Sequence, residues 1–359
     1  MGTIESGFIH VMRFYDIAYE IDLEALQASA NTAATRIRLK RTEPKAVDFG
    51  VPPLELALGG MAVTELGLTG EVSARIFEFG VASISIRFAV SGVEWNELAR
   101  LTNAIDQWAN REEPWRWLEQ VMSLVEPHAA RPSVTQGLSE DYLIVAVRST
   151  SQPVSISGLM ASDALVTLLA GETRPLAPGA RSDLLKNTFS YYTTDLAVIT
   201  WDRAFLYEPE GDTDVTEVIE VANAQLLELR YYDMLLDEEL PRMYRRVQNA
   251  RKRFRILGRS YAKLAHELYG QVAEVTQITE RIDNALKVTE DVYLARIYSA
   301  VGELFRLRSW NVDVERKLGI IRDTYSALND DATHARAELL ELGIFLLIVF
   351  EVVVGLLLR

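Results

Sequence analysis

Residues 339–358 read LLELGIFLLIVFEVVVGLLL, and how this stretch is read decides the fold. Only Glu341 and Glu351 interrupt it with charge. Twenty residues at about 1.5 Å per residue span about 30 Å, the thickness of a hydrocarbon core. The run therefore predicts a single C-terminal transmembrane helix. The N-terminus shows no secretory or organellar leader pattern, so the bulk of the chain is expected on the cytoplasmic side. A bacterial inner membrane is the expected location, or the mitochondrial inner membrane in a eukaryote. Glu351 sits near the middle of the span, where an ionised carboxylate is costly unless it is paired, protonated or facing water. The functional reading is a polar contact in an oligomer or an ion position, and the bland one is a protonated or snorkelling carboxyl that is simply tolerated.

Working upstream, the residues from Trp310 fall on a heptad grid: Val314, Leu318, Ile321, Tyr325, Leu328, Ala332, Ala335, Leu339 and Leu342. Earlier, Leu229, Leu236, Met243, Ala250, Leu257 and Leu264 repeat every seven residues beside a second track through Leu240, Val247, Phe254, Tyr261, Leu268 and Val275. Two apolar tracks over about five heptads predict a coiled coil. Pro241 marks a kink or a new helix start within it. Further helices are expected over 274–288 and 291–306. The seams close either within the chain as an antiparallel bundle or between chains as an oligomer.

Arg242, Arg245, Arg246, Arg251, Lys252, Arg253, Arg255, Arg259 and Lys263 lie in a stretch with no acidic residue and off both apolar tracks. Like charges on neighbouring turns destabilise a helix. This basic face is therefore a candidate binding surface for an anionic partner: RNA or the ribosome, lipid head groups, or the acids Asp233, Asp237, Glu238 and Glu239 of a neighbouring subunit. A solvated, self-paired face is the bland alternative.

Residues 1–208 read as an α+β head. Strands are expected at 8–15, at 74–90 with a turn or bulge at Gly80, at 141–148, and as a hairpin over 195–207 turned at Asp202-Arg203. Helices are expected at 95–110, 114–125 and 162–169, the last capped by Ser162. The predicted organisation is head 1–208, helical stalk 213–335 and anchor 339–358.

The net charge of −14 argues against wholesale adsorption to nucleic acid or anionic lipid. The absence of cysteine excludes disulfides, thiolate metal sites and cysteine nucleophiles. No phosphate-binding or nucleophile-elbow glycine motif occurs. His10, His128, His266 and His334 lack metal-ligand spacing. No catalytic residue, metal site, cofactor or small-molecule substrate is indicated, and an enzyme is not expected. Trp95, Trp108, Trp115 and Trp117 read as core, with a partner-binding aromatic surface as the alternative.

The segments LRYYDMLLDEEL from Leu229, VTQITERIDNALK from Val275 and YLARIY from Tyr293 resemble the C-terminal half of the Rmd/YagE-type "required for meiotic nuclear division" family. RIFEFGV from Arg75 and DLAVI from Asp195 resemble its N-terminal half. The resemblance implies a membrane-bound, oligomeric, non-enzymatic protein, with relatives that support organellar translation. The functional expectation is an oligomeric membrane-tethered scaffold whose basic helical face engages translation machinery or another anionic partner. The alternative is an ion-transport oligomer using Glu351, by similarity of layout to CorA-type magnesium channels. This chain has one predicted span where those have two, and it lacks their Gly-Met-Asn motif.

Overall fold

The computed structural model describes residues 2–32, 39–41, 47–48, 52–111, 115–210, 214–253, 270, 287–288 and 292–357. Contacts divide the chain into two units, Met1–Leu229 with Arg281–Arg308, and Arg230–Glu280 with Ser309–Arg359.

The first unit is built on a mixed sheet. Its central strand is β1 (Ile4–Asp16), flanked by β7 (Val81–Val90) and β9 (Ser139–Thr150), both antiparallel to it. A meander of β5 (Leu54–Val63), β6 (Leu68–Ile76) and β7 extends one side, with β3 (Leu39–Arg41) at that edge. On the other side, β12 (Arg203–Tyr207) pairs with β9 in parallel and continues antiparallel into β11 (Leu196–Ile199) and β10 (Thr188–Phe189). Two minor ladders join β2 (Glu20–Ile21) to β8 (Ala129–Ala130) and β4 (Val47–Asp48) to β13 (Lys287–Val288).

The segment Tyr142–Val147 is buried at every position, as expected of a strand covered on both faces. One face packs against α1 (Leu23–Thr32), α2 (Trp95–Ala109), α3 (Trp117–Val125), α4 (Ile156–Ala161), α5 (Asp163–Ala170) and α6 (Pro178–Leu184). There Trp108 meets Phe88 edge-on at 5.7 Å, and Trp95, Trp108 and Trp115 are buried. The Ser162 hydroxyl accepts from the amides of Ala164 and Leu165, capping α5 as its sequence predicts. The opposite face carries the start of α7 (Val215–Arg253), in which every residue from Val218 to Leu229 is buried. A helix buried all round must satisfy its own polar groups. Asn223 donates to the Ile219 carbonyl (2.9 Å), and Gln225 accepts from the Tyr298 hydroxyl (2.7 Å) on the helix Val292–Leu304.

The second unit holds the rest of α7 and most of the C-terminal helix Leu307–Leu357. α7 continues through Pro241 without a new start. Lys317 reaches Asp233 (2.6 Å) and Asp237 (2.5 Å), beside the buried Leu236, Met243, Val314, Leu318 and Ile321. Here the apolar seam closes within one chain. Residues 287–288 form a strand where a helix is expected, and 274–286 lie outside the described residues.

The predicted fold class, an α+β head with a coiled-coil stalk and one transmembrane helix, is corrected to a large mixed sheet with helices. Among the described residues no helix is long and apolar enough to cross a membrane. The expected anchor, the single-pass location and the membrane as a partner fall with it. The run from Leu339 is the end of the 51-residue helix Leu307–Leu357, not a segment of its own. Between Glu341 and Glu351 lie the residues 342–350, about 14 Å of helix and about half a hydrocarbon core. Glu351 is exposed on this helix.

At the end of β1, Asp16 is buried and accepts from the Thr135 hydroxyl. Burial raises its pKa from 3.8 to about 6, against the pull of that hydrogen bond. Between those values the folded protein holds the proton more firmly than the unfolded chain. The ionised carboxyl therefore costs stability above about pH 6 and none below about pH 4. Two pK units correspond to about 3 kcal/mol. Asp16→Asn keeps an acceptor for Thr135 and buries no charge. It is expected to stabilise the fold by roughly 1–3 kcal/mol at pH 8 and hardly at all at pH 4. Urea denaturation at the two pH values measures this, and an equal effect at both would contradict it.

Candidate functional site

Antiparallel register sets side chains of neighbouring strands in rows across the sheet. On the face toward α7, one row runs Gly60 (β5), Glu71 (β6), Arg87 (β7), His10 (β1). The next is Ala57, Ser73, Ser85, Met12, and the third is Glu55, Arg75, Ser83, Phe14. Small residues fill the middle of this pattern and charged ones its ends. The consequence is a trough of about 720 Å³, bordered by Phe8, Arg148, Glu208 and, at the start of α7, Asp214, Thr216 and Glu217. That volume lies in the range of small-molecule sites.

One end of the trough is closed by a clasp. The Arg75 guanidinium bonds Glu220 (2.6 Å) and lies 3.5 Å from Glu217, both on α7. Burial pulls the Arg75 pKa down, but Glu220, Glu217 and Glu55 together outweigh it and leave it raised. Burial raises the Glu217 pKa, and Arg75 opposes that rise.

The other end is organised differently. Phe8 stands on β1 between Arg87 on β7 and Arg148 on β9, with guanidinium carbons 4.1 Å and 5.6 Å from its ring centroid. Each is a cation–π contact. Burial and then the positive charge of Arg148 lower the Arg87 pKa, partly offset by Glu71 and Glu55. Among the described residues, neither guanidinium forms a hydrogen bond or a salt bridge, and Arg148 Nε is buried without an acceptor. Next to them, His10 is held neutral: burial, then Arg87 and Arg75, depress its pKa from 6.5 to about 3. Two cations and a neutral imidazole thus surround the Phe8 ring. The Ser73 and Ser85 hydroxyls, 2.9 Å apart, line the floor. Gly59, at φ 120°, forms a bulge in β5; a side chain there would meet nothing within 4 Å, and at Gly60 only the Gly70 carbonyl at 3.8 Å. The bulge leaves an open shelf beside Glu71.

The basic positions expected from sequence lie elsewhere. Arg242, on α7, is paired in its own helix with Glu238 (3.1 Å) and Glu239 (2.5 Å). Arg245 is exposed on the same helix. Arg246, Arg251, Lys252 and Arg253 belong to α7, and Arg255, Arg259 and Lys263 lie outside the described residues. The acids assigned to a neighbouring subunit are engaged within the chain: Glu238 and Glu239 by Arg242, Asp233 and Asp237 by Lys317. The cleft residues were missed because they come from positions 8 to 217. The available signal was the alternation of Ser83, Ser85 and Arg87, and of Glu71, Ser73 and Arg75, which puts polar side chains on one face of interior strands.

Fold and site together define a mixed-sheet domain carrying a charged cleft beneath the start of a buried helix. The chain belongs to the family described as "Uncharacterized protein MJ0711, N-terminal domain", which it matches over residues 6–213. This replaces the Rmd/YagE-type resemblance, for which the comparisons give no support. An uncharacterized protein of Methanocaldococcus jannaschii is 28% identical over 193 residues, 54% of this chain and 58% of that protein. The chain thus spans little more than half the length of that relative. No solved structure matches.

Proposed function

We propose that the protein is a binding module for a small anion-bearing solute, taken into the cleft over the sheet. The observation that carries this is the convergence of Arg87 and Arg148 on the Phe8 ring with no carboxylate bonded to either. Holding two like charges together costs the empty protein stability, and a bound anion offsets that cost. Phosphate, with two negative charges and several acceptor oxygens, is the natural complement to two forked guanidinium groups.

Calorimetry of the full chain with inorganic phosphate tests the reading. Arg148→Gln is expected to weaken binding by about tenfold or more, as loss of a charge-assisted hydrogen bond does. It should leave the melting temperature unchanged or higher, because the repulsion on Arg87 is relieved. Bound phosphate should also raise the pKa of His10 from its low value, visible in the imidazole NMR signals. Phosphate binding that is indifferent to Arg148→Gln, or none at millimolar concentration, would sink the proposal.

A further inference from the structure

Resting on that reading, we infer that the solute is a phosphorylated sugar, its phosphate on Arg87 and Arg148 and its hydroxyls on Glu71 above the Gly59–Gly60 shelf. The cleft is much larger than inorganic phosphate needs, so the anion end leaves most of it unfilled. The row Arg87, Glu71, Gly60 lines it across the sheet. Strands are about 4.8 Å apart, so Glu71 on β6 stands about 10 Å across the sheet from Phe8 on β1, the ring that both guanidinium groups contact. A pentose or hexose phosphate with a hydrogen bond at each end spans that distance, and Gly60 lies one strand beyond Glu71.

The groups along this path suit hydroxyls. Glu71 is exposed toward the cleft and sits directly opposite Arg87, so its charge is already partly balanced. A neutral donor then suits it better than a second cation. The two oxygens of a carboxylate match a pair of neighbouring hydroxyls. The floor beneath is Ala57, Ser73 and Ser85, whose short side chains leave room for a sugar ring. Beyond Glu71 the two glycines remove the side chains that would close the path.

The test compares ribose 5-phosphate, inorganic phosphate and ribose, titrated by calorimetry into the full chain. Ribose 5-phosphate is expected to bind about tenfold more tightly than phosphate, the usual effect of added hydrogen bonds to a charged group. Glu71→Gln should erase that difference, read as the ratio of the two affinities in the same variant, because Glu71 also acts on the charge of Arg87. Gly60→Leu should do the same by filling the shelf, since φ at Gly60 is ordinary and a Cβ there meets only the Gly70 carbonyl, at 3.8 Å. Arg148→Gln should weaken both phosphates. If ribose 5-phosphate and phosphate bind equally, or Glu71→Gln leaves their ratio intact, the sugar assignment is overturned while the anion site stands. If neither phosphate binds, both readings fall.

Discussion

Replacing Gly80 with alanine is expected to cost roughly 4 kcal/mol or more, enough to leave little folded protein at 37 °C. Gly80 turns β6 into β7 at φ 94°, a conformation that side chains rarely adopt. Its carbonyl accepts the amides of Ile17 (2.9 Å) and Ala18 (3.3 Å), and its own amide donates to the Phe77 carbonyl at 3.1 Å. These bonds tie the meander to the end of the central strand. A Cβ at Gly80 would stand 1.7 Å from the Ala18 carbonyl oxygen, so backbone would have to move against backbone. Gly92→Ala is the control, because Gly92 has φ 71° but open space around it. That variant carries the dihedral strain alone, about 1 kcal/mol. Equilibrium unfolding of both variants separates close approach from strain. Equal losses would show that the contact with Ala18 is unimportant.

The same turn shows how far sequence reading carries. Gly80 between two β-branched runs marks a turn by composition, and the Ser162 cap and the hairpin over 195–207 are equally local signals, although the turn falls at Trp201-Asp202 and Arg203 already belongs to β12. β5 was not legible, because Gly59-Gly60 lowers strand propensity at the bulge that shapes the cleft. The parallel β9–β12 pairing was invisible too, since its register is set by contacts across some sixty residues of chain. The cleft depended on that non-local register: Arg87 and Arg148 become neighbours only when β1 lies between their strands. The C-terminal helix misled for the opposite reason. A window of letters weighs apolar residues strongly and takes Glu341 and Glu351 as interruptions, whereas the stretch is the end of the helix Leu307–Leu357 and among the described residues no helix is long and apolar enough to cross a membrane. Of the basic face, Arg242 is paired with Glu238 and Glu239 one turn earlier in its own helix, which is the self-paired alternative at that position, while Arg255, Arg259 and Lys263 lie outside the described residues.

Arg75→Met is expected to destabilise the protein by about 3–5 kcal/mol at neutral pH, the usual result of stripping one partner from a buried ion pair. Arg75 is the cation that lets α7 lie on the sheet with Glu220 buried and Glu217 nearby. Replacing both members is expected to recover much of the loss, because Arg75→Met with Glu220→Met leaves apolar volume and no orphaned charge at that pair. A double-mutant cycle in urea therefore separates attraction from the cost of an unpaired carboxylate. The pH dependence supplies a second signature. The Glu217 carboxyl already has a raised pKa from burial, held back by Arg75. A carboxyl raised in the folded state costs stability once pH exceeds its ordinary range, and nothing below it. Without Arg75 that rise is larger, so the deficit of Arg75→Met should widen from pH 4 to pH 8. A deficit that is constant across that window would mean that Arg75 acts through packing of its stem, and that the clasp is not electrostatic.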